Sequence, residues 1–313
     1  MSGQRSFRRH LALSTLAVAM IGCGLSVVGT EGSSSSSGGP GDGGREAAPV
    51  DAGSDVIEDA SSDAPACDGS ATCTPTDLVV LPLGQTVRAV AISSQALYFI
   101  NETSKTIVSA GLDGSNPTDL VTTTQAARQL TVDDTYVWYT GPDLHRFRIS
   151  TGTDVLVATG VTGCVSVDPS KTVVYAADFA GNRIVSALYA GAGGVDYLTG
   201  KEGVAFPWGV AATANDVYFT TSGARSGFIY RRPKIGTVNT VVKHDQLNPN
   251  CLTFDSSEQL YWVNNADGSI HRSKADGTDE VVLVAGQANV TQVAVDDNFL
   301  YWGTQNKVKR LAR

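Results

Sequence analysis

From about residue 87 onward, short stretches of alternating apolar and polar positions recur between turn residues, as in Leu130-Thr131-Val132-Asp133-Asp134 and Val293-Ala294-Val295-Asp296-Asp297. Alternation with a period of two places one side of each stretch in a core and predicts β-strands. A second pattern sets their spacing. An aliphatic residue followed by an aromatic pair or its relic returns six times, as Leu97-Tyr98-Phe99, Val137-Trp138-Tyr139, Val174-Tyr175-Ala176, Val217-Tyr218-Phe219, Leu260-Tyr261-Trp262 and Leu300-Tyr301-Trp302. Their middle residues are 40, 37, 43, 43 and 40 positions apart. After each comes a third stretch opening on an aliphatic residue: Ile107, Leu144, Ile184, Ile229, Ile270 and Val308. Asp113-Gly114 and Asp276-Gly277 then supply hairpin turns, and a last apolar stretch such as Val281–Val284 closes the unit.

Four strands repeated about every 40 residues predict the blades of a β-propeller, so the expected fold class is all-β with six blades. The sixth unit, from Gln292 to Arg313, holds only three strands. Its fourth is expected from the other end, where residues 78–83 are apolar and extended. An unclosed ring would leave an edge strand open to pairing with other chains. The propeller is therefore expected to span 77–313 and to close through 78–83.

The segment LYWVNNADGSIHRSKADGTD at 260–279 resembles the YWTD repeat of low-density-lipoprotein-receptor-type propellers, and Leu300-Tyr301-Trp302-Gly303-Thr304 echoes it. Only these two units carry Tyr-Trp, and the Thr-Asp that follows it in the family is intact in neither. The resemblance implies a six-bladed propeller that binds proteins or other ligands.

The first 76 residues break the pattern. Arg5, Arg8 and Arg9 precede an apolar run from Leu11 to Gly22 and then Cys23. A basic segment followed by about a dozen apolar residues reads as a secretory signal. Met20-Ile21-Gly22-Cys23 resembles a bacterial lipobox, which would make Cys23 the lipidated residue and the membrane a partner through a lipid anchor. Leu11–Val28 is also long enough for an uncleaved anchor, and cleavage without lipid is a third reading. All three place the domain outside the cytoplasm, and the lipidated form would be held at the bacterial envelope, periplasmic or surface-exposed. Residues 24–76 are rich in Gly, Ser, Ala and Asp and lack aromatics, the composition of a disordered linker. A flexible chain of that length spans roughly 40 Å.

Charge follows the same division. The whole chain carries −8, but residues 24–76 account for −8 and residues 77–313 for only −3, against +3 in the first 23. With no basic stripe on the domain, nucleic acid is not an expected partner. Of five cysteines, Cys67 and Cys73 close a short loop and form a candidate disulfide in an oxidising compartment. Cys164 and Cys251 occupy equivalent repeat positions, and the four non-lipid cysteines leave three pairings open.

Candidate chemistry is sparse. His145 and His271 share one strand slot with Val, Tyr and Lys, so it reads as a variable strand face. Asp133, Asp168, Asp255 and Asp296, with Ser93 and Thr213, recur after the first strand. Carboxylates there could gather calcium, but interchange with Ser and Thr points to turn caps. No cofactor, metal site or catalytic set is expected. Arg88, Arg128, Trp208 and Asn250 share one repeat slot on the loops entering the first strand, with Gln292 one residue off. Asp178 and Asn264 lie on the adjoining second-to-third-strand loops. These seven are the candidate ligand-binding residues, suited to an envelope protein, a peptide or a glycan. The rival expectation is a lyase- or lactonase-type enzyme with its site in the central channel mouth.

Overall fold

The structure, a computed structural model, describes residues 74–191, 193–222 and 226–313. The signal, Cys23, the linker up to residue 73 and the Cys67–Cys73 pair lie outside those residues. Six four-stranded antiparallel sheets form a six-bladed β-propeller. Blade 1 contains β2 (Val87–Ile92), β3 (Leu97–Asn101), β4 (Thr106–Ala110) and β5 (Thr118–Thr122). Blade 2 follows with β6 (Gln129–Val132), β7 (Tyr136–Thr140), β8 (Asp143–Arg148) and β9 (Thr153–Thr159), and blade 3 with β10 (Val165–Val167), β11 (Val173–Asp178), β12 (Arg183–Leu188) and β13 (Val195–Leu198). Blade 4 comprises β14 (Val210–Ala212), β15 (Asp216–Thr221), β16 (Gly227–Pro233) and β17 (Thr240–Gln246). Blade 5 comprises β18 (Pro249–Phe254), β19 (Gln259–Asn264), β20 (Ser269–Lys274) and β21 (Val281–Val284).

Blade 6 joins the two ends of the domain. Its inner strands are β22 (Val293–Val295), β23 (Phe299–Thr304) and β24 (Lys307–Ala312), and its outer strand is β1 (Thr76–Val80). The closing strand thus sits slightly earlier than 78–83. Leu81 still exchanges backbone bonds with blade 6, its N–H donating to the Asn306 carbonyl at 2.8 Å. Pro82 then has no N–H to donate, and the chain turns at Gly84, φ 87°. Asp77 ties the outer strand to its neighbour by accepting from Lys307 Nζ at 2.5 Å, with Lys309 at 3.4 Å.

The repeat motif is the core. Ile107, Leu144, Ile184, Ile229, Ile270 and Val308 are all fully buried, as are the tryptophans Trp138, Trp262 and Trp302. Six apolar clusters form, one at each junction between neighbouring blades. The cluster between blades 6 and 1 includes Val79 of β1, so ring closure also completes a core.

The recurring turn residues cap their turns. Oδ1 of Asp133, Asp168, Asp255 and Asp296 accepts backbone N–H groups two to four residues on, while Ser93 Oγ and Thr213 Oγ1 accept the equivalent bonds. In three of the four aspartates the second oxygen crosses to another blade. Asp133 accepts from Tyr189 at 2.5 Å, Asp168 pairs with Lys234, and Asp255 pairs with Arg313. Asp296 instead accepts from Tyr301 of its own blade at 2.9 Å. One residue type at one slot therefore shapes the turn and fastens neighbouring blades.

A cavity at the mouth of the channel

The innermost strands surround the propeller axis, and each enters through a loop on one common face. On that face a cavity of about 540 Å³ is lined by Thr86, Val87 and Arg88 from blade 1, Phe179 from blade 3, Trp208 and Ser222 from blade 4, Asn248, Asn250 and Asn265 from blade 5, and Asn289 and Thr291 preceding blade 6. Glu102, on the loop after β3, completes the lining. Loops entering the first strand and loops between the second and third strands share this face, as the repeat register implied.

Of the seven candidate residues, Arg88, Trp208 and Asn250 line this cavity. Arg128 is exposed on the entry to blade 2 and close enough that its charge helps push the Arg88 guanidinium below its ordinary pKa. Burial is the largest cause of that shift, and Glu102, 3.5 Å from Arg88, opposes it. The other three lie elsewhere. Gln292 turns into the channel: its amide donates to the Leu130 carbonyl at 2.5 Å, and it lines a separate cavity of about 390 Å³ at the opposite end. A one-residue offset on an alternating strand points a side chain the other way. Asp178 is buried, accepting from the Gly181 N–H at 2.8 Å and pairing with Arg183 at 2.7 Å. Asn264 is buried at the end of β19, donating to Gln246 Oε1 at 3.1 Å. Both end a strand rather than project from a loop; Asp178 is engaged within its blade, whereas Asn264 bonds across to Gln246 of blade 4 and its Oδ1 is buried without a partner.

Between the two sets of lining residues stands the next slot of each inner strand, Ala89, Gln129, Cys164, Gly209, Cys251 and Gln292, all buried except the half-buried Gln292. Cys164 and Cys251 form a disulfide with Cα atoms 5.6 Å apart, joining blades 3 and 5 past blade 4. Blade 4 contributes Gly209 there, where a Cβ would meet the Asn250 carbonyl at 2.2 Å. The Gln292–Leu130 bond makes a similar span from blade 6 to blade 2. The disulfide and this bond bridge the layer beneath the cavity at the mouth, which has the form of a cup.

Asn250 forms part of the cup and is only 6% exposed. The one atom near its amide oxygen is the Cys164 sulfur at 3.9 Å, which belongs to the disulfide and has no hydrogen to donate. Its amide makes no side-chain hydrogen bond to a donor or acceptor among the described residues and faces the cavity. Trp208 Nε1 and Arg88 Nε are buried without a hydrogen-bond partner, an unusual state for buried polar groups. Sequence reasoning missed Phe179, Asn248, Asn289 and Thr291. Phe179 carries no repeat signal, while Asn248 and Asn289 take left-handed backbone, φ 57° and 62°, a conformation asparagine tolerates. The described lining contains no histidine, and its one carboxylate, Glu102, faces Arg88.

The histidines of the third strands are structural. His145 Nδ1 lies 3.2 Å from Asp154 and His271 Nδ1 lies 2.8 Å from Glu280, so each is tied to an acid of the fourth-strand segment. His271 stacks on Trp262, with centroids 5.0 Å apart, and its Nε2 is 3.1 Å from the Asn264 amide nitrogen. Burial holds its pKa below the ordinary 6.5, although Glu280 opposes the shift. The unfolded chain therefore takes up this proton first. Stability from His271 is complete above about pH 6.5 and is lost as pH falls through the window below it. The melting temperature is expected to drop from pH 7.5 to 5.5, and to drop less in His271→Phe. An equally steep drop in the variant would assign the dependence to other groups.

No protein-family model matches the chain. Among solved structures it is similar to the crystal structure of a nidogen/laminin complex, at 20% identity and a TM-score of 0.58, covering 67% of this chain and 85% of that one. It is also similar to a gluconolactonase from Xanthomonas campestris, at 12% identity and a TM-score of 0.63, covering 77% and 89%. A streptogramin B lyase aligns at 13% identity and a TM-score of 0.58, covering 76% and 97%. At these identities the likeness is one of fold. The neighbours include a propeller in a protein–protein complex as well as enzymes, so the fold does not choose between binding and catalysis.

Proposed function

We propose that the chain is a non-enzymatic binding module, exported and tethered to the envelope through a lipid on Cys23, which takes a polar ligand into the cup at the channel mouth. The observation that carries this reading is the pair of buried, unpartnered donors Trp208 Nε1 and Arg88 Nε in the lining that also holds Asn250. A buried donor without a partner carries a desolvation cost, and a ligand in the cup could relieve it. Trp208, Phe179 and the neighbouring asparagines surround Asn250 with groups suited to recognition. The basic, apolar and Gly-Cys order of residues 5–23 supports the tether, and the acidic linker gives it reach.

A second reading, a lactonase or lyase, is supported by the fold shared with the gluconolactonase and the lyase. Screening the purified domain against arrays of glycans and short peptides separates the two. Binding without turnover is expected. Trp208→Ala or Asn250→Ala should weaken it about tenfold or more, roughly 1.4 kcal/mol. Binding indifferent to both substitutions, or turnover abolished by a chelator, would overturn the proposal. In cells, Cys23→Ser should release the protein from membranes. Retention through an alkaline wash would indicate an uncleaved anchor instead.

A further inference from the structure

One residue beside the cup is conformationally expensive. Phe206 has φ 47° and immediately precedes Pro207. A bulky side chain seldom adopts positive φ, and a residue before proline is restricted further. The conformation is held from both sides: the Phe206 N–H donates to Asn182 Oδ1 at 2.8 Å, and its carbonyl accepts from the Ser222 N–H at 3.1 Å. Yet the side chain so placed remains 49% exposed. Strain maintained to hold an aromatic ring in solvent points to use of that ring.

Phe206 is the outer end of a series. Its ring centroid is 5.4 Å from that of Phe179, which is 5.4 Å from that of Trp208. Phe179 and Trp208 line the cup, so an aromatic ledge descends from the rim to Asn250. Arg88 stands in the same cup, Arg128 is exposed at the entry to the next blade and close enough to act on its charge, and Glu102, paired with Arg88, is the one acid in the described lining. The site thus carries a local excess of positive charge although the domain as a whole is negative. Amphipathic rings with apolar faces and hydroxylated edges fit an aromatic ledge bordered by amides, and a carboxylate fits paired guanidinium groups.

We propose that the cup binds a saccharide bearing a carboxylate, of the uronic-acid class, with its sugar rings along Phe206, Phe179 and Trp208 and its carboxylate toward Arg88 and Arg128. This rests on the binding reading of the same site. The aromatic ledge and the amides favour a sugar over an acidic peptide, which would share only the carboxylate.

Titration calorimetry on the purified domain tests it with four probes: trigalacturonate, a hyaluronan tetrasaccharide, a neutral galactan trisaccharide and an acetylated tetrapeptide with a free C-terminal carboxylate. At least one uronate should bind ten times more tightly than the neutral trisaccharide, and raising the salt concentration should narrow the gap. Arg128→Ala, an exposed substitution, should remove most of the preference for acid. Phe206→Ala should weaken uronate binding about fivefold or more without lowering the melting temperature. Equal affinity for neutral and acidic sugars, stronger binding of the peptide, or no binding of either uronate would each overturn the proposal. A different ligand whose binding depends on Trp208 and Asn250 would reject the uronate while leaving the binding module in place. A ligand held independently of both residues would remove the module's assigned site as well.

Discussion

Replacing Cys164 and Cys251 together by alanine is expected to destabilise the propeller by on the order of 4–5 kcal/mol, seen as a lower denaturant midpoint. The bridge spans 87 residues, and in the chain-entropy model a loop of that length loses about that much freedom in the unfolded state when crosslinked. Its position suggests that the native state will feel the change too. The disulfide links blades 3 and 5 across the channel, and Gly209 of the intervening blade leaves no room for a side chain beside it. Reductant should lower the midpoint of the unmodified protein and leave that of the double variant unchanged. Asn250 precedes Cys251, so ligand affinity should fall with the bridge even at temperatures where both proteins are folded. A double variant as stable as the parent would show that the blade interfaces alone hold the ring and that the crosslink contributes little.

The same layer shows why parts of the molecule were legible from sequence and others were not. Blades repeat, so positions that face a neighbouring blade recur, and the six aliphatic residues from Ile107 to Val308 are all buried where the register put them. The aspartate turn caps were legible for the same reason. Their bonds to other blades were not, because Lys234 and Arg313 stand outside the motif that places Asp168 and Asp255. The Cys164–Cys251 pairing depends on the distance across the channel between blades 3 and 5, which no count along the chain contains. Register brought Arg88, Trp208 and Asn250 to one mouth. It could not separate them from Gln292, whose one-residue offset turns it toward the far end, or reveal that Asp178 pairs within its blade and Asn264 bonds across to blade 4. Phe206 was silent for another reason. Its role depends on a positive φ before proline, and an aromatic residue in a loop signals nothing of the kind.

A domain beginning at Thr74 should fold like the full chain, whereas one beginning at Gly84 should be destabilised and should self-associate. Both lack the signal and linker, so the difference reports on residues 74–83 alone. Removing them takes away β1 and with it Val79, which is 6% exposed, along with the partly buried Leu78 and Leu81 packed in the same cluster. Loss of that apolar burial alone is on the order of 3–5 kcal/mol. It also strips β24 of its partner along Lys307–Arg310, leaves Lys307 and Lys309 without Asp77, and frees the Asn306 amide that donates to the Leu81 carbonyl at 2.7 Å. The Asp113-Gly114 turn of blade 1 would lose a neighbour as well, since Gly114 packs so closely on Leu78 that an added Cβ would meet the Leu78 carbonyl at 2.4 Å. The exposed edge of β24 is rich in Lys and Arg, which should slow edge-to-edge pairing rather than abolish it. Thermal melting and light scattering at several protein concentrations measure both effects. Adding a peptide of residues 74–83 in trans should restore part of the lost stability if strand pairing is the cause. Equal melting temperatures for the two domains would mean that three strands suffice for blade 6 and that β1 is an accessory to a ring already closed.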